Sequence, residues 1–310
     1  MLGMLVMACD DALRLFRTAD IIAAMSIEGL LGTDRPFAAD LQALRPHPGQ
    51  AKSAANLRRL LAHSPLVAAH DDATHGVQDA YSLRCHPQVI GAARDTLDYA
   101  MQVAERELDS AIDNPVILPD GRVESVGNFH GEPLAFACDF LSIAACEVGA
   151  ISVQRVDRLL DAKRSRGLPP FLSTNAGVNS GMMIAQYTAA ALVAENRRLS
   201  HPASTDSMAT SAMQEDHVSL GWASARNLRQ ILTNLSRVLA VEAVCASLAI
   251  ELRDPLQPGH GSRATIDLLR TAFPGPGPDR FLAPELEAAV RMVWAGEVLR
   301  AASGNVGDLE

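Results

Sequence analysis

The sequence predicts an all-α protein: one elongated bundle of long helices, with a small β-hairpin and functional loops at the helix ends. Three observations favour this class. The 310 residues are 48% hydrophobic but only 4% aromatic, and Ala, Leu and Met, which supply much of the apolar content, favour helix over sheet. Long apolar segments with helical spacing recur along the chain. No internal repeat or linker divides it, so we expect a single helical domain over residues 1–310.

The predicted helices are separated by stretches rich in Pro and Gly. They span residues 2–31, 51–62, 87–112, 134–163, 182–199 and 219–252, and two shorter helices follow the turn PLQPGHGSRA. The first is apolar on nearly all sides, so we expect it to be buried on most of its faces. Pro65 and Pro115 end the second and third, because proline cannot continue a helix. VILPDGRVESVG, around Asp120 and Gly121, predicts the hairpin.

Composition excludes several classes of protein. A net charge of -9 and an isoelectric point near 5.5 argue against a nucleic-acid surface, which needs clustered Lys and Arg. The first nine residues are apolar, but they contain no basic region and are followed by Asp10 and Asp11, so no signal peptide is expected. No run of about eighteen uncharged apolar residues predicts a membrane span. Five cysteines without CxxC spacing indicate buried thiols in a reducing compartment, and we expect a cytoplasmic protein.

Three polar loop segments precede predicted helices: QDAYSLR (78–84), GNFHGEP (127–133) and QEDHVSLG (214–221). The first follows residues 66–76, which lack periodicity and predict an ordered loop. Because each segment enters a helix, we expect the three to meet at one end of the bundle. The alternatives are an ordinary surface turn for the first segment and, for the third, a capping cluster whose acids are stabilised by the helix dipole.

Together the side chains of these loops suit a zwitterionic amino acid. Arg84 offers a rigid fork of donors for a carboxylate, and Tyr81 can transfer a proton. Gln78 can fix an amide or a water. Phe129 supplies an apolar wall, and Glu215 can receive a polar or cationic side chain.

Several longer motifs give the chain a family resemblance. In order they read VQDAYSLRC, SAIDNP, GNFHGEP, FLSTNAGVNSGMMIAQ, ENRRLSHPAS and QEDHVSLG. The chain therefore resembles the histidine ammonia-lyase branch of the aromatic amino-acid lyase family, from about Leu2 past GHGSRATIDLLR. The QEDH form is more similar to histidine lyases than to the phenylalanine or tyrosine enzymes.

This resemblance implies a fold, a reaction and a set of roles. The family eliminates ammonia from an amino acid, converting histidine to urocanate, in an all-helical homotetramer whose active sites combine loops of several subunits. By motif position, Arg84 matches the carboxylate-binding arginine, Tyr81 the active-site tyrosine and Glu215 the glutamate near the substrate imidazole. We therefore assign catalysis to Tyr81 and Glu215, and substrate binding to Gln78, Arg84, Phe129 and Gln214.

The electrophile of that family has no counterpart in the motifs above. It is a methylidene-imidazolone ring formed from an internal Ala-Ser-Gly in a GASGDLAPL-like loop, and these 310 residues contain no such loop. Ala302, Ser303 and Gly304 do form an Ala-Ser-Gly, but we expect them to be a helix end and tail. We therefore expect that this chain binds no prosthetic group and that it is inactive alone, because the β-proton of an amino acid is too weakly acidic to remove without an electrophile.

No metal site is expected, because the nine histidines form no HxxxH or HExxH pair and HGE around His130 indicates a structural turn. Three interpretations stay open. The chain is part of a histidine lyase whose electrophile comes from a missing segment or partner chain; or a non-catalytic helical assembly or amino-acid-binding module; or a fragment with an exposed apolar face. The expected partners are histidine and either further copies of the chain or an N-terminal lyase portion.

Overall fold

The all-α prediction is confirmed by a computed structural model, which describes residues 1–71 and 77–310. The helices are α1 (Leu2–Gly29), α2 (Ala39–Ala43), α3 (Pro48–Leu61), α4 (Pro65–Ala68), α5 (Tyr81–Arg84), α6 (His86–Leu108), α7 (Glu132–Leu160), α8 (Met183–Leu199), α9 (Gly221–Glu251), α10 (His260–Arg270), α11 (Ala283–Trp294) and α12 (Glu297–Val306). Strands β1 (Val116–Ile117) and β2 (Val123–Glu124) pair antiparallel, which confirms the hairpin. The long helices thus match their predicted spans to within a few residues.

Helix α9 forms the centre of the bundle. It packs against α1, α7, α8 and α11, and its second half is almost wholly buried. Helix α1 is likewise buried on most faces from its third turn onward, as its apolar pattern predicts. Burial of these apolar surfaces stabilises the fold. The core is therefore helix on helix, and the strands lie outside it.

Three of the long helices, α1, α7 and α9, run in the same direction. At one end the Met1 side chain lies against both Gly131, before α7, and Gly221, at the start of α9. Towards the other end Ser26 of α1 and Ser152 of α7 both donate hydrogen bonds to one carboxylate of α9. Helix α6 runs the opposite way, because its first residues contact the later turns of α1 and α7. The bundle thus has two chemically distinct ends, which we call the Met1 end and the Arg84 end.

Helices α7 and α9 are long and apolar enough to cross a membrane by length and composition. In the fold, however, 67% and 89% of their most apolar windows are buried against other helices. Such burial is typical of core helices, so packing accounts for the apolar composition.

Two predictions of local structure are wrong. Residues 260–264 of the predicted turn PLQPGHGSRA belong to α10, and three helices close the chain after α9, not two. Within the predicted loop 66–76, Leu66–Ala68 are helical, because Ser64 caps α4 by accepting a hydrogen bond from the Val67 amide. Residues 72–76 lie outside the described part of the chain.

Candidate active site

The first predicted loop, QDAYSLR, is fixed by a buried aspartate. Asp79 accepts hydrogen bonds from Arg166 Nη2 at 2.6 Å and from the Thr33 amide at 2.9 Å. Its carbonyl oxygen in turn accepts from Arg84 Nε at 2.9 Å. Arg166 also donates to the carbonyls of Leu30 and Leu31, beyond the end of α1. This network holds the backbone around Arg84 against the last turns of the bundle.

Arg84 and Gln78, which belong to the same segment, line one cavity. It has a volume of about 400 Å³, and its walls include Thr33, Gln88 and Gln78. Arg84 is half-buried, and its guanidinium lies over the Tyr81 ring with Cζ 4.6 Å from the centroid. This cation–π contact orients the fork while Nε is held by Asp79. Two N–H-bearing nitrogens remain for an anionic ligand, and we find no protein acceptor for them within residues 1–71 and 77–310.

A buried ion pair in the bundle core holds the QDAYSLR segment in position. Arg155 and Glu242 are both fully buried and form a bidentate pair, with Nε to Oε1 at 2.5 Å and Nη2 to Oε2 at 2.9 Å. Arg155 Nη1 donates to the carbonyl of Ser82 at 3.2 Å. The core charge pair therefore positions the short helix that carries Tyr81 and Arg84.

His86, the first residue of α6, links that pair to a second one. Arg155 Nη1 can only donate, so it donates to Nδ1 at 3.2 Å, and Nε2–H donates to Asp20 at 3.0 Å. Burial is the main cause that lowers the pKa of His86 below its usual range. For Asp20, burial acts to raise the pKa, but Arg94 and the His86 hydrogen bond outweigh it and lower the pKa. The network therefore holds a neutral imidazole between two salt bridges.

The other predicted loops meet each other at the Met1 end. His130 and His217 stack with ring centroids 5.7 Å apart and planes within 7°. The Nε2–H of His130 donates to the carbonyl of His217 at 3.1 Å. Both rings approach Glu132 at the start of α7. The segments GNFHGEP and QEDHVSLG are thus in contact, as predicted.

Phe129, Gln214 and Glu215 are exposed on this surface. Glu215 Oε2 accepts a hydrogen bond from Thr210 Oγ1 at 2.7 Å, and their backbones form an antiparallel bridge. The Thr210 hydrogen bond, and then that of Ser211, lower the pKa of Glu215. Its carboxylate is therefore ionised at neutral pH and turned towards solvent.

The expectation that the three loops meet at one end of the bundle is wrong. QDAYSLR lies beside Leu30 and Arg166, beyond the last turns of α1 and α7, whereas Glu132 and His217 lie at the Met1 end. With 29 residues in α7, the two ends are about 40 Å apart at 1.5 Å per residue. The prediction failed because entry into a helix does not fix which end of the bundle the helix enters from. A site that unites Arg84 with Glu215 requires two chains.

The only Ala-Ser-Gly in the printed sequence does not fit an electrophile. Ala302, Ser303 and Gly304 lie inside α12, where Ala302 is buried and the Ser303 carbonyl accepts from the Gly307 amide at 2.9 Å. A helix holds successive carbonyl and amide groups apart, pointing along its axis, and not compressed for ring closure. The expectation of a helix end and tail is therefore correct as to the helix end, whereas the tail begins only after Val306.

Known proteins resemble this chain over most of its length. A family model for aromatic amino acid lyases matches residues 1–271. The histidine ammonia-lyase of Streptomyces avermitilis is 59% identical over 310 residues, all of this chain and 60% of the relative. That of Gloeobacter violaceus is 46% identical over 300 residues, covering 96% of this chain and 58% of the relative. The chain thus spans about 60% of the length of these curated relatives.

Solved structures agree with the fold. The histidine ammonia-lyase of Trypanosoma cruzi superposes with a TM-score of 0.90 at 39% identity, over 98% of this chain and 57% of the other. The tyrosine aminomutase of Streptomyces globisporus gives 0.92 at 37% identity, over 98% and 62%. On the family match and the agreement in fold, this chain belongs to the aromatic amino acid lyase family.

Proposed function

We propose that this chain forms part of a histidine ammonia-lyase, which eliminates ammonia from L-histidine to give urocanate. The observation that carries the proposal is the 59% identity to the Streptomyces avermitilis enzyme across all 310 residues. The residues that suit an amino acid, Arg84 and Glu215, belong to that matched length. A cytoplasmic location fits the four buried cysteines.

In this proposal each side chain has a defined task. Nη1 and Nη2 of Arg84 bind the substrate carboxylate, and Gln78 lines the same cavity. Tyr81, beside the guanidinium, exchanges a proton with the substrate through its phenol oxygen. The ionised Glu215 accepts a hydrogen bond from the substrate imidazole, with Gln214 as its polar neighbour and Phe129 as an apolar wall. A methylidene-imidazolone, formed from an Ala-Ser-Gly outside these 310 residues, supplies the electrophile.

The two halves of the site come from two copies in antiparallel association. An apolar groove between α6 and α7 exposes Tyr99, Phe140 and Ile143, each about 40% accessible, near the middle of α7. A two-fold axis through this groove, perpendicular to the helices, reverses the second copy. The Arg84 end of one chain then lies beside the Met1 end of its partner, which carries Glu215.

Complementation tests the proposal. The purified chain is mixed with the N-terminal remainder of the Streptomyces avermitilis enzyme and with histidine, and urocanate is followed by ultraviolet absorbance. We expect product only in the mixture. Failure to form urocanate, when the same two pieces of the relative itself do form it, refutes the lyase proposal.

Matched variants separate the roles of individual side chains in this assay. Tyr81→Phe removes the phenol oxygen and is expected to reduce kcat, whereas Tyr187→Phe, at a tyrosine of similar exposure, leaves it unchanged. Arg84→Lys retains the charge but not the fork, so a rise in KM is expected. Equal activity of Tyr81→Phe and Tyr187→Phe would remove Tyr81 from the mechanism.

A second candidate is a non-catalytic assembly or amino-acid-binding module. The helical Ala302-Ser303-Gly304 segment and the exposed groove support it. Calorimetry with histidine on the chain without any partner distinguishes the two. Oligomerisation and binding, combined with no product in any mixture, favour the module.

A further inference from the structure

We infer that His130, Glu132 and His217 bind a divalent transition-metal ion, with Zn²⁺ as the representative ligand. One potential ligand atom from each of these side chains lies within 4.8 Å of the other two. Two imidazoles and one carboxylate form a donor set that proteins use for zinc, leaving a fourth position open. This site does not depend on the lyase proposal, and it revises the expectation of a purely structural turn at His130.

The tautomer of His130 leaves a lone pair for the metal. Because a carbonyl can only accept, the contact of Nε2 with the carbonyl of His217 requires the proton on Nε2. Neutral His130 therefore presents a bare Nδ1, which lies 4.0 Å from Glu132 Oε2. Such a hydrogen bond through the second ring nitrogen is the usual way in which proteins orient a metal-binding histidine.

Glu132 supplies the second independent sign of a missing ligand. Its Oε2 atom is inaccessible to solvent and has no hydrogen-bond partner among the described residues. A carboxylate oxygen without a donor is costly inside a protein. Two acceptors, Nδ1 of His130 and Oε2 of Glu132, thus lie 4.0 Å apart, and a cation satisfies both.

Zinc binding requires the three ligand atoms, which lie within 4.8 Å of one another, to move closer together, and it requires the His217 ring to turn out of its parallel stack with the His130 ring. Tetrahedral zinc with bonds of about 2.1 Å places its ligand atoms about 3.4 Å apart, whereas Glu132 Oε2 lies 3.9 Å from His217 Nε2. The His217 side chain is 64% exposed and free to rotate inward. The N-terminus of α7 carries a positive partial charge that opposes a cation, but the carboxylate of Glu132, its first residue, offsets it.

Isothermal titration with ZnCl₂ on the full chain tests this site. We expect one zinc per chain, with the affinity reduced about tenfold or more in His130→Ala, His217→Ala and Glu132→Gln. His47→Ala, at an exposed histidine outside the cluster, serves as the matched control and should bind as the unmodified chain does. Glu132→Gln is nearly isosteric, so it keeps the test valid if a histidine variant fails to fold.

Cobalt substitution reports the ligands directly. We expect Co²⁺ to give visible bands of tetrahedral strength without thiolate charge transfer, because Cys9 and Cys138 are buried, which raises the pKa of each thiol to about 11 and about 12. Equal zinc binding by all variants means an adventitious ion only and overturns the inference. The absence of binding, or a thiolate band, overturns it as well. None of these outcomes bears on urocanate formation.

Discussion

Removal of one partner of the buried Arg155–Glu242 pair should destabilise the protein strongly. In Arg155→Met the Glu242 carboxylate loses two charged donors, and the donors that it keeps within residues 1–71 and 77–310 are the hydroxyls of Ser26 and Ser152. Because both side chains are fully buried, no water replaces the guanidinium. An uncompensated buried charge of this kind costs about 3–5 kcal/mol of unfolding free energy.

The assay is urea unfolding followed by far-ultraviolet circular dichroism at one fixed protein concentration. Arg164→Met is the matched control, because its ion pairs with Asp157 and Asp161 are exposed and should contribute at most about 1 kcal/mol. The double variant Arg155→Met with Glu242→Leu removes both charges and should regain most of the loss. If Arg155→Met costs less than about 1 kcal/mol, the reasoning about the buried pair is wrong.

Three further predictions concern pH, the loop anchor and the interface. Burial lowers the pKa of His86 in the folded protein, so only the unfolded chain takes up a proton at this residue as the pH falls through 6.5. The free energy of unfolding measured by urea titration should therefore decrease below that pH. The decrease should be smaller in His86→Gln. Asp79→Asn removes a charged acceptor from Arg166 and should cost about 2 kcal/mol or more by the same unfolding assay, while weakening histidine binding in calorimetry. Phe140→Asp places a charge in the apolar groove and should shift the sedimentation coefficient towards that of a monomer. Phe281→Asp, at an exposed phenylalanine outside that groove, should not. If Phe140→Asp sediments as the wild type does, the interface lies elsewhere.

Much of the fold was predictable because it depends on periodicity. The spans of α1, α7 and α9 follow from apolar spacing, and the hairpin follows from Asp120 and Gly121. The prediction failed where local composition and the final structure disagree. The Pro- and Gly-rich segment PLQPGHGSRA predicts a turn, but from His260 onward its residues form α10. Packing against the rest of the protein makes these residues helical, and a segment of ten residues is too short to show a helical period in its apolar positions.

The candidate site was predictable in its residue types but not in its arrangement. Arg84 and Gln78, both in QDAYSLR, line the same cavity, but Tyr81 does not. The buried ion pair that positions the site was not predicted, because Arg155 and Glu242 are 87 residues apart and each looks like an isolated charge in an apolar helix. The separation of Arg84 from Glu215 was also hidden, since helix direction in a bundle is a property of the whole topology.

Mixing two defective chains tests the composite site most directly. Arg84→Ala and Glu215→Gln are each expected to abolish histidine binding when purified alone. If one chain's Arg84 pairs with the partner's Glu215, subunit exchange in an equimolar mixture restores about a quarter of the wild-type binding stoichiometry, because half of the random dimers are mixed and one of their two sites is intact. No recovery after demonstrated exchange would contradict the two-chain site.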